Sequence, residues 1–474
     1  MIKVVFLQNI WFEFMGPMYL SASLKSAKHD CRMLIGDSFA DFKPDLLVNP
    51  PDVIAFSTMT GMHPWVVEVA GSIKGFLPQC LIVVGGPHPT FFPEIIKETA
   101  IDIICRGEGE DAIVELADAL ASKVKYENIL NLWVKLEDGS IIKNDVRSLQ
   151  QDLDILPVPD RTLYSAYPEL SGTTVKVVIS SRGCPFDCTF CFNHQMAELY
   201  RGKGRYVRHR SPAGVIAEIQ SIKDNEQVKR IYFADDTFAL DRNWLKDFLP
   251  LYGEKIGLPF HCLIRINQID RDIAGMMRKN GCETVFFGIE SGDETIRNEV
   301  LKKAITDADI RSGAAILRQA GITFRTYNIV GFPGETFDEA LKTVALNIEI
   351  ETDFPWCSIF MPYPGTQLAE YAMEHGYLSD NHQVNSLGSS FHITSILKNP
   401  DSRRIINLHK FFQTAVVAPY LLPLIKLLVR LPENPLFRLW FSLVYYLLYV
   451  RSEGRGFITT FRAAIRNGKF FRKS

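Results

Sequence analysis

The chain has 474 residues, 47% of them hydrophobic and 22% charged, which excludes a wholly disordered or fibrous protein and, by length, a single ordinary core. Nine cysteines are an odd set, and six of them (Cys31, Cys80, Cys105, Cys262, Cys282, Cys357) are scattered among apolar neighbours, so a disulfide framework is excluded as well. The net charge of −2 hides an asymmetry: residues 401–474 carry thirteen Lys/Arg against three acids, +10 in all, and the residues before them −12. An anionic partner is expected for that tail. Residues 1–7 lack the basic start, long apolar stretch and small-residue cleavage site of a secretory signal, so a cytoplasmic location is expected.

Through about residue 120, short apolar runs alternate with helical stretches, the pattern of βαβ units on a parallel sheet. Strands are predicted over 3–7, 31–35, 53–57, 81–84 and 101–105. Small or polar residues follow each: Gln8-Asn9, Gly36-Asp37, Ser57-Thr58-Met59-Thr60, Gly85-Gly86-Pro87-His88 and Arg106-Gly107-Glu108-Gly109-Glu110. In an open α/β sheet such ends line the ligand crevice. A hairpin is predicted over 132–146, turning at Asp138-Gly139. The prolines Pro157, Pro159 and Pro168 then make a stiff linker. The expected divisions are 1–145, a linker over 146–170, 171–385 and 386–474.

In the second division the βα alternation resumes, with strands predicted over 177–180, 230–233, 260–264, 284–288, 323–330 and 358–361. Six units suit a partial barrel, with chemistry at the carboxyl ends of the strands. Beyond residue 385 two apolar runs, 411–429 and 436–450, are broken by Pro419, Pro423, Lys426 and Arg438 and do not read as membrane spans. Two readings of this tail stand. The helices lie on a membrane surface, at the inner face, or Trp440, Phe441 and the leucine-rich faces pack on the barrel's open side while Arg462, Arg466, Lys469, Arg472 and Lys473 are merely solvated. Its aromatic residues sit in apolar helical runs and not on a stacking platform, so no nucleic-acid partner is expected.

The loop after the first barrel strand reads Ser180-Ser181-Arg182-Gly183-Cys184-Pro185-Phe186-Asp187-Cys188-Thr189-Phe190-Cys191. Its three thiols have Cys-x3-Cys-x2-Cys spacing, and thiolates are the usual ligands of iron–sulfur clusters. Three ligands on a four-iron cube leave one iron open to a cofactor. A zinc site completed by His194, or simply buried cysteines, are the competing readings. The aromatic Phe190 and the position after a first barrel strand favour the cluster.

Here the sequence resembles the radical S-adenosylmethionine superfamily, whose signature is Cys-x3-Cys-x-aromatic-Cys. The resemblance implies a 4Fe-4S cluster on Cys184, Cys188 and Cys191 that chelates S-adenosylmethionine and splits it to a 5'-deoxyadenosyl radical. By position, it also implies that Asp235 and Asp236, in Phe233-Ala234-Asp235-Asp236, lie near the methionine amino group. Glu290 and Ser291, in Gly288-Ile289-Glu290-Ser291-Gly292, are then the ribose and carboxylate contacts, and the Gly331-Phe332-Pro333-Gly334-Glu335 loop lies against adenine. Arg265 is read either as a carboxylate partner or as an ordinary barrel-mouth salt bridge.

Tyr363-Pro364-Gly365-Thr366 resembles a turn common in one branch of these enzymes, the branch with an N-terminal cobalamin domain. In that branch loops like those at Ser57-Thr58, Gly85-Gly86-Pro87-His88 and Gly107-Glu108 surround cobalamin. His88 is read as a corrin contact or a helix cap, and His29 as structural. The chain lacks Asp-x-His-x-x-Gly, so histidine ligation of cobalt from below is not expected. The implied fold class is α/β: a flavodoxin-like (Rossmann-type) cobalamin-binding domain, a partial (β/α)6 TIM barrel and a helical C-terminal region.

The implied activity is radical methyl transfer to an unactivated carbon of a small molecule, apolar or lipid-like, with a flavodoxin- or ferredoxin-type electron donor. Two rivals are kept. One is radical oxidation or cyclisation, as in the anaerobic magnesium-protoporphyrin monomethyl ester cyclase; the other is a non-catalytic metal-binding protein.

Overall fold

Lys3–Gln8 is buried at every position but the first, as a central parallel strand must be, and forms β1. The computed structural model describes residues 1–379, 382, 384, 387 and 395–453, and these fall into two compact units. Of the described residues, one comprises 1–172 with 195–206; the other comprises 173–194 and those from 207 to 453.

In the first unit β1 is followed by α1 (Met15–Ser26), β2 (Asp30–Ile35), α2 (Phe39–Val48), β3 (Val53–Ser57), α3 (His63–Phe76), β4 (Leu81–Gly85), α4 (Pro87–Phe91), β5 (Ile103–Cys105), α5 (Glu110–Ser122), β6 (Leu132–Lys135) and β7 (Ile141–Lys143). The sheet order is β2-β1-β3-β4-β5-β6-β7; the first five strands are parallel, and β6 and β7 form the antiparallel hairpin. This is the flavodoxin-like order, and chain direction across the sheet reverses between β1 and β3, so a crevice opens at their carboxyl ends. One face buries Val5, Ile54, Ile82 and Ile104 against Phe42, Val66 and Ile73. The proline-rich segment is strapped to this unit: Asp160 Oδ2 accepts from Ser21 Oγ and Lys25 Nζ, each at 2.6 Å, and the Tyr164 hydroxyl donates to Gln8 Oε1 at 2.9 Å.

A single turn, α6 (Pro168–Ser171), ends that unit. The second unit begins with β8 (Val175–Val178) and the short ribbon of β9 (Ser181–Arg182) with β10 (Arg208–His209). Between these two ribbon strands comes α7 (Asn193–Leu199). There follow α8 (Pro212–Asn225), β11 (Arg230–Phe233), α9 (Arg242–Lys255), β12 (Phe260–Leu263), α10 (Arg271–Lys279), β13 (Cys282–Glu290), α11 (Asp307–Gln319), β14 (Thr323–Val330), α12 (Phe337–Glu349) and β15 (Phe354–Ile359). Six parallel strands stand in sequence order, β8-β11-β12-β13-β14-β15, a partial barrel with β8 and β15 as free edges. Phe233, Phe248, Phe260, Val285, Phe287 and Phe324 fill the layer between strands and helices.

The sixth barrel strand starts four residues earlier than 358–361. Pro355 lies inside it, which is tolerated because β15 is an edge strand and needs hydrogen bonds on one side only.

The chain ends with α13 (Gln367–Glu374), α14 (Ser402–Val417), α15 (Leu422–Leu428) and α16 (Pro435–Glu453). Leu408, Phe411, Phe412 and Val416 of α14 pack on Val330, Phe337, Val344 and Cys357 and cover the β15 edge. Along α16, Tyr445 meets Trp356 edge-on at 4.6 Å, and Ser452 accepts from Arg325 of β14. Packing on the barrel side is therefore realised for this inner face, including Phe441, which stacks near His409 at 4.8 Å. Trp440, by contrast, is 41% exposed. Arg462, Arg466, Lys469, Arg472 and Lys473 lie outside the described residues. No helix among the described residues is long and apolar enough to cross a membrane.

Candidate functional site

The cysteine loop leaves the carboxyl end of β8 through Gly183, whose φ of +91° only glycine adopts without strain. Asp235, at the end of β11, is 1% exposed and anchors the loop's start. Its Oδ1 accepts from the Ser180 amide at 3.0 Å, the Ser180 hydroxyl at 2.9 Å and the Ser181 hydroxyl, while Oδ2 is buried without a partner. Burial pushes its carboxyl up to about 6. Farther along, the Thr189 hydroxyl donates to Val300 O at 2.8 Å and the Thr189 amide to Leu301 O at 3.1 Å. Arg265, ending β12, lays its guanidinium 3.9 Å over the Phe186 ring. It has no acidic partner within ion-pair distance among the described residues, so the salt-bridge reading does not hold; it is a prop for the loop.

Cys188 is buried and Cys184 and Cys191 partly exposed, all three as free thiols. Burial raises the Cys184 thiol and pushes Cys191 up to about 11, and the charges of the neighbouring cysteines and of Asp236 add to both. Thiols that repel one another on ionising suit a shared cationic centre, which stabilises thiolates. One tetrahedral zinc needs its sulfurs about 3.8 Å apart, by its ~2.3 Å bonds. No three His, Cys, Asp or Glu side chains among the described residues are grouped for a single metal ion.

Asp236 differs from its neighbour: its side chain is exposed, and the surrounding loops still raise its carboxyl by desolvation. Of the pair it is the exposed one, and the Asn193 side chain donates to it. Glu290 has φ +63°, an uncommon state for a residue with a side chain. It follows a register shift between β13 and β14, the kind of bulge that re-aims a strand-end side chain. Its Oε1 accepts from Lys303 Nζ at 2.7 Å, and Lys303 also approaches the Phe190 ring at 5.9 Å. Ser291 is fully buried, and its hydroxyl accepts from the Asp293 amide at 3.1 Å, so the side chain is used within the turn.

Gly331 has φ +84°, and a Cβ there would meet only ordinary contacts. Backbone conformation, and not close approach, demands this glycine. Its amide and that of Phe332 donate to Glu335 Oε2, while Glu335 Oε1 is buried without a partner.

In the first unit, Thr58 and Gly86 hold each other: the Thr58 amide donates to Gly85 O at 2.9 Å, the His88 amide donates to Thr58 O at 3.0 Å, and a Cβ on Gly86 would lie 2.9 Å from the Thr58 backbone. Ser57 stays half-buried at the end of β3. His88 is 1% exposed, stacks on His63 at 4.1 Å and reaches Thr60 Oγ1 through Nδ1 at 3.1 Å. Burial lowers it to about 3, so it is neutral and internal. His29 is structural, accepting from the Ile2 amide at 3.2 Å and meeting Asp118 at 3.0 Å.

The Glu108 amide donates to the Tyr200 hydroxyl at 2.8 Å, which ties the segment after the cysteine loop to the end of β5. At the β1 side of the crevice, Asn9 Oδ1 is buried with no partner. A ligand fringed with amide N–H groups, as a corrin is, suits this acceptor.

Sequence reasoning missed Lys303, Phe186, Tyr200 and the orphaned atoms of Asn9 and Glu335. A Cys-x3-Cys spacing is local, whereas the Asp235–Ser180 and Glu108–Tyr200 bonds join residues 55 and 92 apart and leave no periodic trace.

Comparison with known proteins agrees with this geometry. The Radical SAM superfamily model matches residues 178–346, and the B12 binding domain model matches 13–117. An uncharacterised methyltransferase of Pyrococcus horikoshii is 32% identical over 376 residues, covering 77% of this chain and 79% of that protein. The anaerobic magnesium-protoporphyrin IX monomethyl ester cyclase of Cereibacter sphaeroides is 27% identical over 334 residues, covering 67% of this chain and 52% of that protein. In fold, the chain is similar to the cobalamin-dependent S-adenosylmethionine radical enzyme OxsB with aqua-cobalamin bound, at a TM-score of 0.70 and 16% identity over 98% of this chain and 72% of that one. The chain belongs to the cobalamin-dependent radical S-adenosylmethionine enzymes.

Proposed function

We propose that the enzyme transfers a methyl group to an unactivated carbon of an apolar small molecule. The observation that carries the radical half is the triad Cys184, Cys188 and Cys191 on a loop anchored by Asp235 and propped by Arg265 at the carboxyl ends of the barrel strands. The methyl half rests on the similarity to the Pyrococcus horikoshii protein. Bound to that triad, a 4Fe-4S cluster supplies the electron that cleaves S-adenosylmethionine, and cobalamin supplies the methyl carrier.

The chain's own residues do the positioning. Asp236 accepts the methionine ammonium, and Glu290, oriented by Lys303, accepts a ribose hydroxyl, because an ionised carboxylate only accepts. The loop that Glu335 ties together lies against the adenine. Ser57, Thr58, Gly85, Gly86 and Glu108 form the cobalamin crevice with Asn9, while His88 supports it from inside. Electrons come from a flavodoxin- or ferredoxin-type donor, and the C-terminal helices meet the membrane from its inner face.

Anaerobic reconstitution with iron, sulfide and hydroxocobalamin tests the proposal, with 5'-deoxyadenosine and methylcobalamin measured after reduction with S-adenosylmethionine. Four-iron absorption, retained corrin bands and both products are expected; deoxyadenosine without retained corrin overturns methyl transfer. A second reading, oxidation or cyclisation without an added methyl group, is favoured by the similarity to the cyclase. Product mass separates the two.

A further inference from the structure

An α-helix in a water-exposed position normally carries one apolar stripe, the one it buries. Helix α16 carries two. Phe437, Phe441, Tyr445 and Ser452 follow the helical repeat and form the face that packs on α14 and the barrel. Leu436, Leu439, Leu443 and Leu447 follow the same repeat on the opposite side and are 73%, 67%, 50% and 50% exposed; Trp440, at the flank, is 41% exposed and donates Nε1 to Thr414 Oγ1 of α14 at 2.9 Å. Helix α15, which like α16 packs on α14, also exposes large apolar side chains, Leu424 and Leu427 at 52% and 61%, and Tyr420 before it is 80% exposed. So many large apolar side chains in one region exceed what a surface shows by chance.

The charges around the face name its occupant. Lys426, Arg430, Arg438 and Arg451 are exposed on α15, α16 and the turn between them, against the single exposed acid among the described residues there, Glu433, which Arg438 meets at 3.7 Å. Apolar side chains fringed by cations, with the exposed Tyr420 beside them, match the boundary between acyl chains and anionic headgroups. Neither helix is long and apolar enough to cross. We propose that α15 and the outer face of α16 form a monotopic docking surface that lies in the plane of an anionic lipid bilayer.

This deepens the reading of an apolar substrate, and rests on it for the benefit of docking, since a substrate dissolved in lipid is reached from the bilayer surface. The adsorption itself is independent of that chemistry.

The test is co-sedimentation of the full chain with phosphatidylcholine vesicles that contain or lack phosphatidylglycerol, alongside Leu439→Glu/Leu443→Glu and Arg430→Gln/Arg438→Gln. The expected result is binding to the anionic vesicles, weakened by salt, with a blue shift of Trp fluorescence. The leucine variant is expected to lose about tenfold in affinity for each leucine withdrawn from lipid, and the arginine variant to lose its preference for anionic lipid. Both keep their deoxyadenosine yield, so a failed methyl-transfer reading leaves the outcome of this test intact. The proposal is overturned if the intact chain ignores both vesicles, or if the leucine variant binds as well as the original. It is likewise overturned if sedimentation velocity finds a dimer that the leucine variant dissolves while vesicle binding is unchanged.

Discussion

Glu335 and Asp235 are buried acids whose folded-state pKa values lie above the ordinary ones, at about 8 and about 6, both chiefly through burial. A carboxyl raised in this way holds its proton in the fold where the unfolded chain has lost it. Its contribution is therefore complete below the ordinary carboxyl range and declines as pH rises toward the folded value. For Glu335 that window runs from about 4.5 to about 8. Glu335→Gln keeps an acceptor for the Gly331 and Phe332 amides and cannot ionise, so its melting temperature is expected to stay level between pH 5 and 8 while that of the parent falls; thermal melts across this range decide it, and parallel curves refute the assignment. Asp235 tests the anchoring of the cluster loop. Asp235→Ala leaves the Ser180 amide and two hydroxyls unpartnered inside the protein, at about 1–3 kcal/mol for each buried group, and is expected to lose iron on desalting. Asp235→Asn retains the accepting oxygen and is expected to keep most of it; iron content per chain is the measurement, and equal retention by both variants would sink the anchoring role.

At the scale of elements, α14 matters because it covers the free edge of β15, which would otherwise present unpaired backbone groups. Phe412 sits at its centre with no exposure. Phe412→Ala is expected to cost about 3–5 kcal/mol, read as a shift of the urea midpoint with an unchanged slope; a loss under about 1 kcal/mol would show that α14 is only loosely docked. The elements were legible to different degrees for physical reasons. Strands β3, β11 and β14 run over the residues expected for them: β3 is apolar almost throughout, as a buried parallel strand is, whereas β14 also buries Arg325, Thr326 and Asn328. Strand β15 starts ahead of the expected 358–361 and contains Pro355, a residue that a strand tolerates at a sheet edge. The cysteine spacing was fully legible, being local. What Asp235, Lys303 and Tyr200 do was not, since each meets a partner brought near only by the fold.

For the whole molecule, the division into two units, each with its own buried core, gives cobalamin a limited footprint. A ligand that binds only the folded form stabilises what it touches by RT ln(1 + [L]/Kd), about 2.7 kcal/mol at a hundredfold excess over Kd. If the crevice at the ends of β1 and β3 is the cobalamin site, the gain belongs to the first unit's loops. The amides that report it are Thr58, bonded to Gly85 O, His88, bonded to Thr58 O, Gly107, bonded to Thr90 Oγ1 at 3.0 Å, and Glu108, bonded to the Tyr200 hydroxyl. Hydrogen exchange of the iron-reconstituted chain with and without hydroxocobalamin is expected to slow these four by about a hundredfold, and to leave the amides of β11, β12 and β14 as they were. Slowing of the barrel strands alone would move the corrin to the second unit, and no slowing anywhere would leave a flavodoxin-like sheet that keeps the crevice without the cofactor. Because the readout needs neither S-adenosylmethionine nor substrate, it judges the cobalamin assignment separately from the chemistry built on it.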